Sequence, residues 1–228
     1  VYGPTAVTAK VANGELVTIK EETGYPFKEQ IQFTIDCESA VNFPFHLRIP
    51  EWCKTFTLKV NNSIQQVEPQ NGIVILDREW SSGDKVELNL GMDFRYSYWH
   101  EMSLGIERGP LVYALKIDEE WREVTNDKYD DTFWEVLPKS PWNYALLKSE
   151  IDENKLEAEV NNEIAKNPWN LENAPIIVKT KGKRMPIWTE DRNMAGKTPS
   201  PSWPHRIVEE NEEEIILIPY GCTTLRIS

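Results

Sequence analysis

Apolar residues occupy alternate positions through most of the first hundred residues. In Phe43–Ile49 the residues Phe43, Phe45, Leu47 and Ile49 are separated by Pro44, His46 and Arg48, the period of two that marks a half-buried strand. Val86, Leu88 and Leu90 alternate with Lys85, Glu87 and Asn89 directly after Ser82-Gly83-Asp84, a turn tripeptide in which glycine takes a positive φ at little cost. Ile31, Phe33 and Ile35 alternate as well, as do Phe56, Leu58 and Val60. Asn13-Gly14 divides Val7–Val11 from Leu16–Lys20, Asn61-Asn62 follows Val60, Asn71-Gly72 precedes Ile73–Leu76, and Met92, Phe94 and Tyr96 close the run. The pattern predicts about eight strands before Trp99 and an antiparallel β-sandwich over residues 1–103.

The second half is less regular. Gly109-Pro110 precedes Leu111, Tyr113, Leu115 and Ile117, which share one face. Proline is tolerated at a strand's first residue and glycine bends the chain before it, so this dipeptide is expected to open a second sandwich over residues 104–228. Leu146–Ile164 mixes helix formers with the alternation of Leu156, Ala158 and Val160; a hairpin turning at Asp152–Lys155 is predicted there. Pro175–Thr180, Glu214–Pro219 and Thr223–Ile227 should complete the sheet, with acidic Glu212–Glu214 guarding an edge, and Asp191–His205 reads as a long loop. The fold class is therefore all-β, two tandem antiparallel β-sandwich domains.

Charge narrows the partners. With 228 residues, 40% hydrophobic and 27% charged, the chain has the composition of an ordinary globular protein of two domains. Its formal net charge of -12 repels phosphate backbones and anionic lipid, and Lys179–Arg184 is the one basic cluster, so neither nucleic acid nor membrane is an expected partner. No apolar run approaches the roughly 18 to 20 residues that span a bilayer, and the start VYGPTAV carries no targeting pattern. Cys37, Cys53 and Cys222 are too scattered for a disulfide framework and read as buried thiols.

Reactive constellations are absent from the sequence. Glycosidases commonly hold two carboxyls across the scissile bond, yet among 37 acidic residues pairs such as Asp130 with Asp131, or Glu119 with Glu120, carry almost no specificity. His46, His100 and His205 are isolated from one another, there is no CxxC, and no metal site is expected; His46 reads as an outward-facing strand residue. A serine elbow, a P-loop and a dinucleotide fingerprint are all missing.

Eight motifs in order do resemble one family. They are VYGP at the start, ETGYPF at Glu22–Phe27, LRIPEW at Leu47–Trp52, REWSSGD at Arg78–Asp84, ERGPLVYAL at Glu107–Leu115, then WEVLPKSPWNYAL, NPWNLENAPI and the terminal PYGCTTLRIS. Together they resemble the region after the catalytic barrel in the β-L-arabinofuranosidases of glycoside hydrolase family 127. Asn62 stands where a glycine is expected in a VNG turn, which asparagine tolerates. The resemblance implies a non-catalytic portion, inactive alone, whose partner is an N-terminal helical barrel lying upstream of Val1. It also implies that catalysis in that barrel uses a cysteine nucleophile on zinc with further cysteines and a glutamate. That set maps onto no position here, so no cofactor is expected in this chain.

The remaining unusual feature is nine tryptophans. Trp52 and Trp80, at strand boundaries, are expected to plug the first core with their indole N–H on a backbone carbonyl. Trp142, Trp169 and Trp203 sit beside proline, which places them on loops or strand ends. With Tyr144 they are the candidate contact residues, open to three readings: core, interface with the barrel, or stacking on a plant-type oligosaccharide in the manner of a carbohydrate-binding module.

Overall fold

In the first unit of the chain, Val1–Asp93, each alternating segment is a strand. The computed structural model describes residues 2–99, 103–126, 131–152, 155–191, 194–195 and 211–225. Strands β1 (Thr5–Lys10), β2 (Leu16–Thr23), β3 (Gln30–Cys37), β4 (Val41–Arg48), β5 (Phe56–Val60), β6 (Ser63–Ile64), β7 (Ile73–Trp80) and β8 (Lys85–Leu90) follow in sequence. Six of them form an antiparallel sheet in the order β1-β2-β3-β8-β5-β6, while β4 and β7 form a separate ribbon. Inward residues of both share one core, including Ile31, Phe33 and Ile35 from β3, Phe43 and Leu47 from β4, and Trp80 from β7. Pro44 is exposed on β4 opposite Asp77, where its missing N–H breaks no ladder because β4 pairs on one side only.

Trp80 sits at the centre of this core. Its side chain is 0% exposed and its indole N–H donates to the carbonyl of Phe43 at 2.9 Å, which removes the cost of burying the donor. Rings link the two layers: Trp80 to Phe45 at 6.1 Å, Phe45 to Phe33 at 5.2 Å and Phe33 to Tyr2 at 6.1 Å. Trp52 is half-buried against the same cluster. His46 points outward, as expected.

Turn chemistry explains how the strands return. Asn61 and Asn62 have φ of 48° and 67° between Val60 and Ser63, which pair. Positive φ at both central residues is the type I′ hairpin loop, so asparagine serves where glycine was expected. The Asn61 amide donates to Asp84 Oδ1 at 2.7 Å and its oxygen accepts the Lys85 N–H at 2.8 Å. Asp84 Oδ2 accepts the Ser81 N–H at 3.0 Å. One carboxylate therefore holds the β7–β8 turn against the β5–β6 turn. Its burial alone would raise the pKa, but the Ser81 N–H, the Asn61 amide and the Arg78 guanidinium outweigh that and hold it below its ordinary value.

The second unit, Phe94–Ser228, is built around one long antiparallel sheet. It contains β9 (Phe94–Tyr98), β10 (Leu104–Arg108), β11 (Leu111–Leu115), β12 (Glu119–Asn126), β13 (Asp131–Pro138), β14 (Tyr144–Leu146), α1 (Lys148–Asp152), β15 (Glu157–Val160), β16 (Ile176–Arg184), β17 (Glu190–Asp191), β18 (Met194–Ala195) and β19 (Glu212–Pro219). The main sheet has the order β14-β16-β19-β11-β10-β9, with β15 also on β16; β12 with β13, and β17 with β18, form small ribbons. Core residues on one face include Ile106, Tyr113, Leu115, Val178 and Leu217.

Five expectations are corrected here. Phe94–Tyr98 does not close the first sheet; it pairs with β10 from Leu104↔Tyr98 to Arg108↔Phe94, and the Phe94 and Tyr113 rings lie 6.0 Å apart. Gly109-Pro110 does not mark the passage between units. It is the two-residue loop of the β10–β11 hairpin, with Arg108 opposite Leu111 and Gly109 at φ 57°, the type II′ arrangement that wants glycine first. Leu146–Ile164 is not a hairpin, because β14 and β15 both pair with β16. Between them α1 turns the buried Ile151 inward, satisfying helix formers and alternating residues in succession. Glu212–Glu214 does not guard an edge either. β19 is interior; Glu212 and Glu214 are in register with Lys183 and Lys181, and the Glu212 carboxylate lies 3.7 Å from Lys181 Nζ, so the acidic run answers the basic run of β16. Thr223–Leu225 carries no strand; in the expected loop Asp191 pairs with Met194, and the rest of that expected strand, with residues 192–193 and 196–205 of the loop, lies outside the described residues.

Replacing Trp80 with alanine should cost about 3–5 kcal/mol in urea unfolding followed by fluorescence, whereas Val7→Ala on the exposed β1 should change stability by less than about 0.5 kcal/mol. Asp84 supplies a pH signature. A carboxyl whose folded pKa is depressed contributes stability above its unfolded value of about 3.9 and loses it as pH falls through the folded value. Asp84→Asn should therefore be less stable than the parent at pH 7, with the gap closing progressively below about pH 4; a gap independent of pH would show that the carboxylate charge is immaterial.

Candidate functional site

The candidate aromatics of the second unit sit in two different settings. Tyr144 belongs to β14, opposite Arg184 of β16, and its hydroxyl donates to Glu213 Oε2 at 2.6 Å while accepting from Arg184 Nε at 3.3 Å. The Arg184 guanidinium lies 5.7 Å from the Tyr144 ring centroid and 3.3 Å from Glu213. Burial first, then the bond to Glu213, pushes the phenol pKa up. All three groups stand on the core face of the sheet at its end. Gly182 lies beside them, where a Cβ would come within 3.0 Å of Ile215 and 3.5 Å of Tyr144, so the bare backbone is what lets tyrosine close over the core. Trp142 and Asn143 are half-buried next to it, and the Asn143 amide donates to the Met185 carbonyl at 3.0 Å.

Trp169 is elsewhere, 44% exposed on the segment before the buried Ala174. Its ring rests on Gly221, where a Cβ would approach the indole to 2.8 Å. Directly beyond, the Cys222 thiol donates to the Pro168 carbonyl at 3.3 Å. The indole thus covers Gly221, the neighbour of Cys222 in the small cluster of Ala174, Ile218 and Cys222. Trp203 lies outside the described residues. The structure does not bring Trp142, Tyr144 and Trp169 into one described row.

A different pair of indoles is more exposed. β12 and β13 form a two-stranded ribbon with Glu123 opposite Trp134 and Trp121 opposite Val136, which sets both tryptophans on one face. They are 52% and 56% exposed, with ring centroids 6.3 Å apart in an edge contact. The Trp121 N–H donates to Glu119 Oε2 at 3.0 Å. Phe133, on the opposite face, is exposed too. The available signal was the β-forming Trp121, Val124 and Thr125 answered by Thr132, Phe133, Trp134 and Val136; the acidic residues among them hid it.

Glu119 and Glu120 are consecutive in a strand and point to opposite faces. Glu119 Oε1 accepts the Thr224 N–H at 2.7 Å, while Glu120 is paired with Arg122 at 2.9 Å, which holds its pKa down, opposite to what a general acid needs. Asp130 lies outside the described residues. Each of the three thiols donates to a carbonyl: Cys37 to Trp80, Cys53 to Thr55 and Cys222 to Pro168. Burial raises all three pKa values, that of Cys222 to about 11, which keeps the thiols protonated. Among the described residues no group of three or more His, Cys, Asp and Glu is placed to hold a metal ion.

Residues 1–92 match a family model described as Beta-L-arabinofuranosidase, GH127 middle domain. Among curated proteins none matches. Solved structures similar to this chain include a GH127 beta-L-arabinofuranosidase from Geobacillus stearothermophilus T6, at TM-score 0.62 and 22% identity over 97% of this chain and 30% of that one. A GH127 beta-arabinofuranosidase matches at TM-score 0.61 and 19% identity, over 97% of this chain and 31% of that one. A protein described as a glycoside hydrolase matches at TM-score 0.57 and 21% identity, covering all of this chain and 33% of its own length. The chain thus spans about a third of these structures. Residues 1–92 are accordingly GH127-like, similar to the family's middle domain, and the chain as a whole shares the all-β fold of part of the GH127 structures.

Proposed function

We propose that this chain is the non-catalytic β-sandwich portion of a glycoside hydrolase similar to the GH127 β-L-arabinofuranosidases, and that it packs on and supports a helical catalytic barrel elsewhere in the same protein. The observation that carries this reading is coverage: 97% of the chain aligns with only 30% of a GH127 structure. The β12–β13 ribbon supplies a docking surface, since two indoles and a phenylalanine in water on a two-stranded ribbon are apolar area without a core to bury it. Trp142, Tyr144, Trp169 and Trp203 remain candidate contacts for the barrel, and in this reading the parent's zinc belongs to the barrel.

Turnover of an aryl β-L-arabinofuranoside is expected from the full-length protein and not from the 228-residue chain. Hydrolysis by the chain alone, abolished by substituting one of its own residues, would overturn the assignment. Replacing both Trp121 and Trp134 with aspartate should lower the melting temperature of the full-length protein by several degrees, the shift of about 1 kcal/mol or more, and leave that of the isolated chain unchanged. Equal effects on both would show that the ribbon is not a docking surface.

A further inference from the structure

We propose that the outer face of the β9–β10 hairpin is a binding subsite for one neutral sugar residue, with Trp99 as its platform and Glu107 as its hydroxyl acceptor. The inference rests on the carbohydrate-active reading above for its ligand class and on geometry for its place. Ser97 pairs with Gly105, and Arg95 with Glu107, so these residues share the face opposite the buried Ile106. Ser97, Gly105 and Glu107, together with Trp99, Leu104 and Val112, line a concavity of about 260 Å³, a little below the range of about 300–1,000 Å³ of sites for drug-sized ligands, which suits a single ring.

The arrangement is fixed before any ligand arrives. The Trp99 N–H donates to Ser97 Oγ at 2.9 Å, and Ser97 Oγ donates to Glu107 Oε1 at 3.1 Å. The other carboxylate oxygen accepts from Arg95 Nη2 at 2.8 Å. Arg95 also donates to the Gly109 carbonyl at 3.0 Å, which anchors the guanidinium to the hairpin turn. The indole lies over Gly105, where a Cβ would stand 2.5 Å from Ser97 Oγ and 3.3 Å from Trp99 Nε1; any side chain there would lift the ring. Glycine thus seats the indole against the sheet, and the side chain is still 68% exposed.

Each part answers a feature of a sugar. The exposed π face, negative at its centre, receives the polarised C–H face of a furanose or pyranose. Each Glu107 oxygen has a second lone pair, so the carboxylate accepts from adjacent ligand hydroxyls while Ser97 and Arg95 hold it in place. A carboxylate at the site, in a chain of net charge -12, selects against uronic acids and phosphorylated ligands.

The test is heteronuclear NMR of the indole N–H signals of the 228-residue chain, titrated with L-arabinose, arabino-oligosaccharides and galacturonate, with the Trp99 signal assigned by its loss in Trp99→Phe. Saturable shifts of the Trp99 signal with neutral sugars, together with an affinity measured by calorimetry that falls about tenfold or more in Trp99→Ala, Gly105→Ala and Glu107→Gln but is unaffected by Trp121→Ala, would support the subsite. Gly105→Ala adds a Cβ 2.5 Å from Ser97 Oγ and 3.3 Å from Trp99 Nε1, so it tests the seating of the ring together with the hydroxyl that holds it. Unmoved Trp99 signals with every neutral sugar, binding that survives Trp99→Ala, or tighter binding of galacturonate would each overturn it. Hydrolysis of arabinofuranosides by the full-length protein together with a silent Trp99 would sink this subsite and leave the proposed function standing.

Discussion

The second unit depends on one strand that arrives late in the chain. Without β19 the main sheet is two pieces, β9–β10–β11 and β14–β15–β16; with it, Leu217 pairs to Leu115 on one side and Val178 on the other. Sequence separation makes such pairing expensive in loop-closure entropy, so the strand must carry its own specificity. It does so twice. Ile215, Leu217 and Ile218 bury their side chains, and Glu212–Glu214 meet the basic run of β16 in register. A slip by one residue would turn Ile215 and Leu217 off the core face and move the carboxylates out of line with their lysines. Exposed ion pairs are individually weak; here they add register to what the apolar residues supply in energy.

The first unit was the more legible half because its signals are local. Alternation marks a strand, and an Asn-Asn or Asn-Gly step marks a return, so β2, β3, β4, β5, β7 and β8 could be read residue by residue. Trp80 was legible too, since an indole at the end of an alternating run with partners on the facing strand has nowhere cheaper to put its N–H than a carbonyl. Alternation says nothing of which sheet a strand joins. Phe94–Tyr98 has the period of a strand in either unit, and only its register with Leu104–Arg108 decides the matter. Gly109-Pro110 is a bend, but a type II′ turn returns the chain onto its own sheet instead of delivering it to another. In Leu146–Ile164 helix and strand signals were treated as rivals, although they apply in turn to α1 and β15.

The aromatic sites were less legible for a related reason. A proline neighbour places a tryptophan off the middle of a strand, but it does not say what lies under the ring. Gly221 lies under Trp169 and Gly105 under Trp99, and both pairings are made by the fold across gaps in sequence. The two exposed indoles of β12–β13 face the same way because Glu123 opposes Trp134, a fact of register that composition cannot reveal.

These exposed rings pose a sharper question than the buried ones. Trp80 repays its desolvation by filling a core. Trp99 and Trp121 instead satisfy their N–H on nearby Ser97 and Glu119, and what they present outward is apolar face. Scattered exposed apolar residues are normal on any protein surface, so one such ring would call for no explanation. Here the polar end is tied down locally and the ring is seated on glycine or on a second indole, which restricts rotation at an entropic cost that surface exposure does nothing to offset. Folding alone gives no return on that ordering. A ligand or a neighbouring domain does, because a ring already held in place has less freedom to lose when something stacks on it.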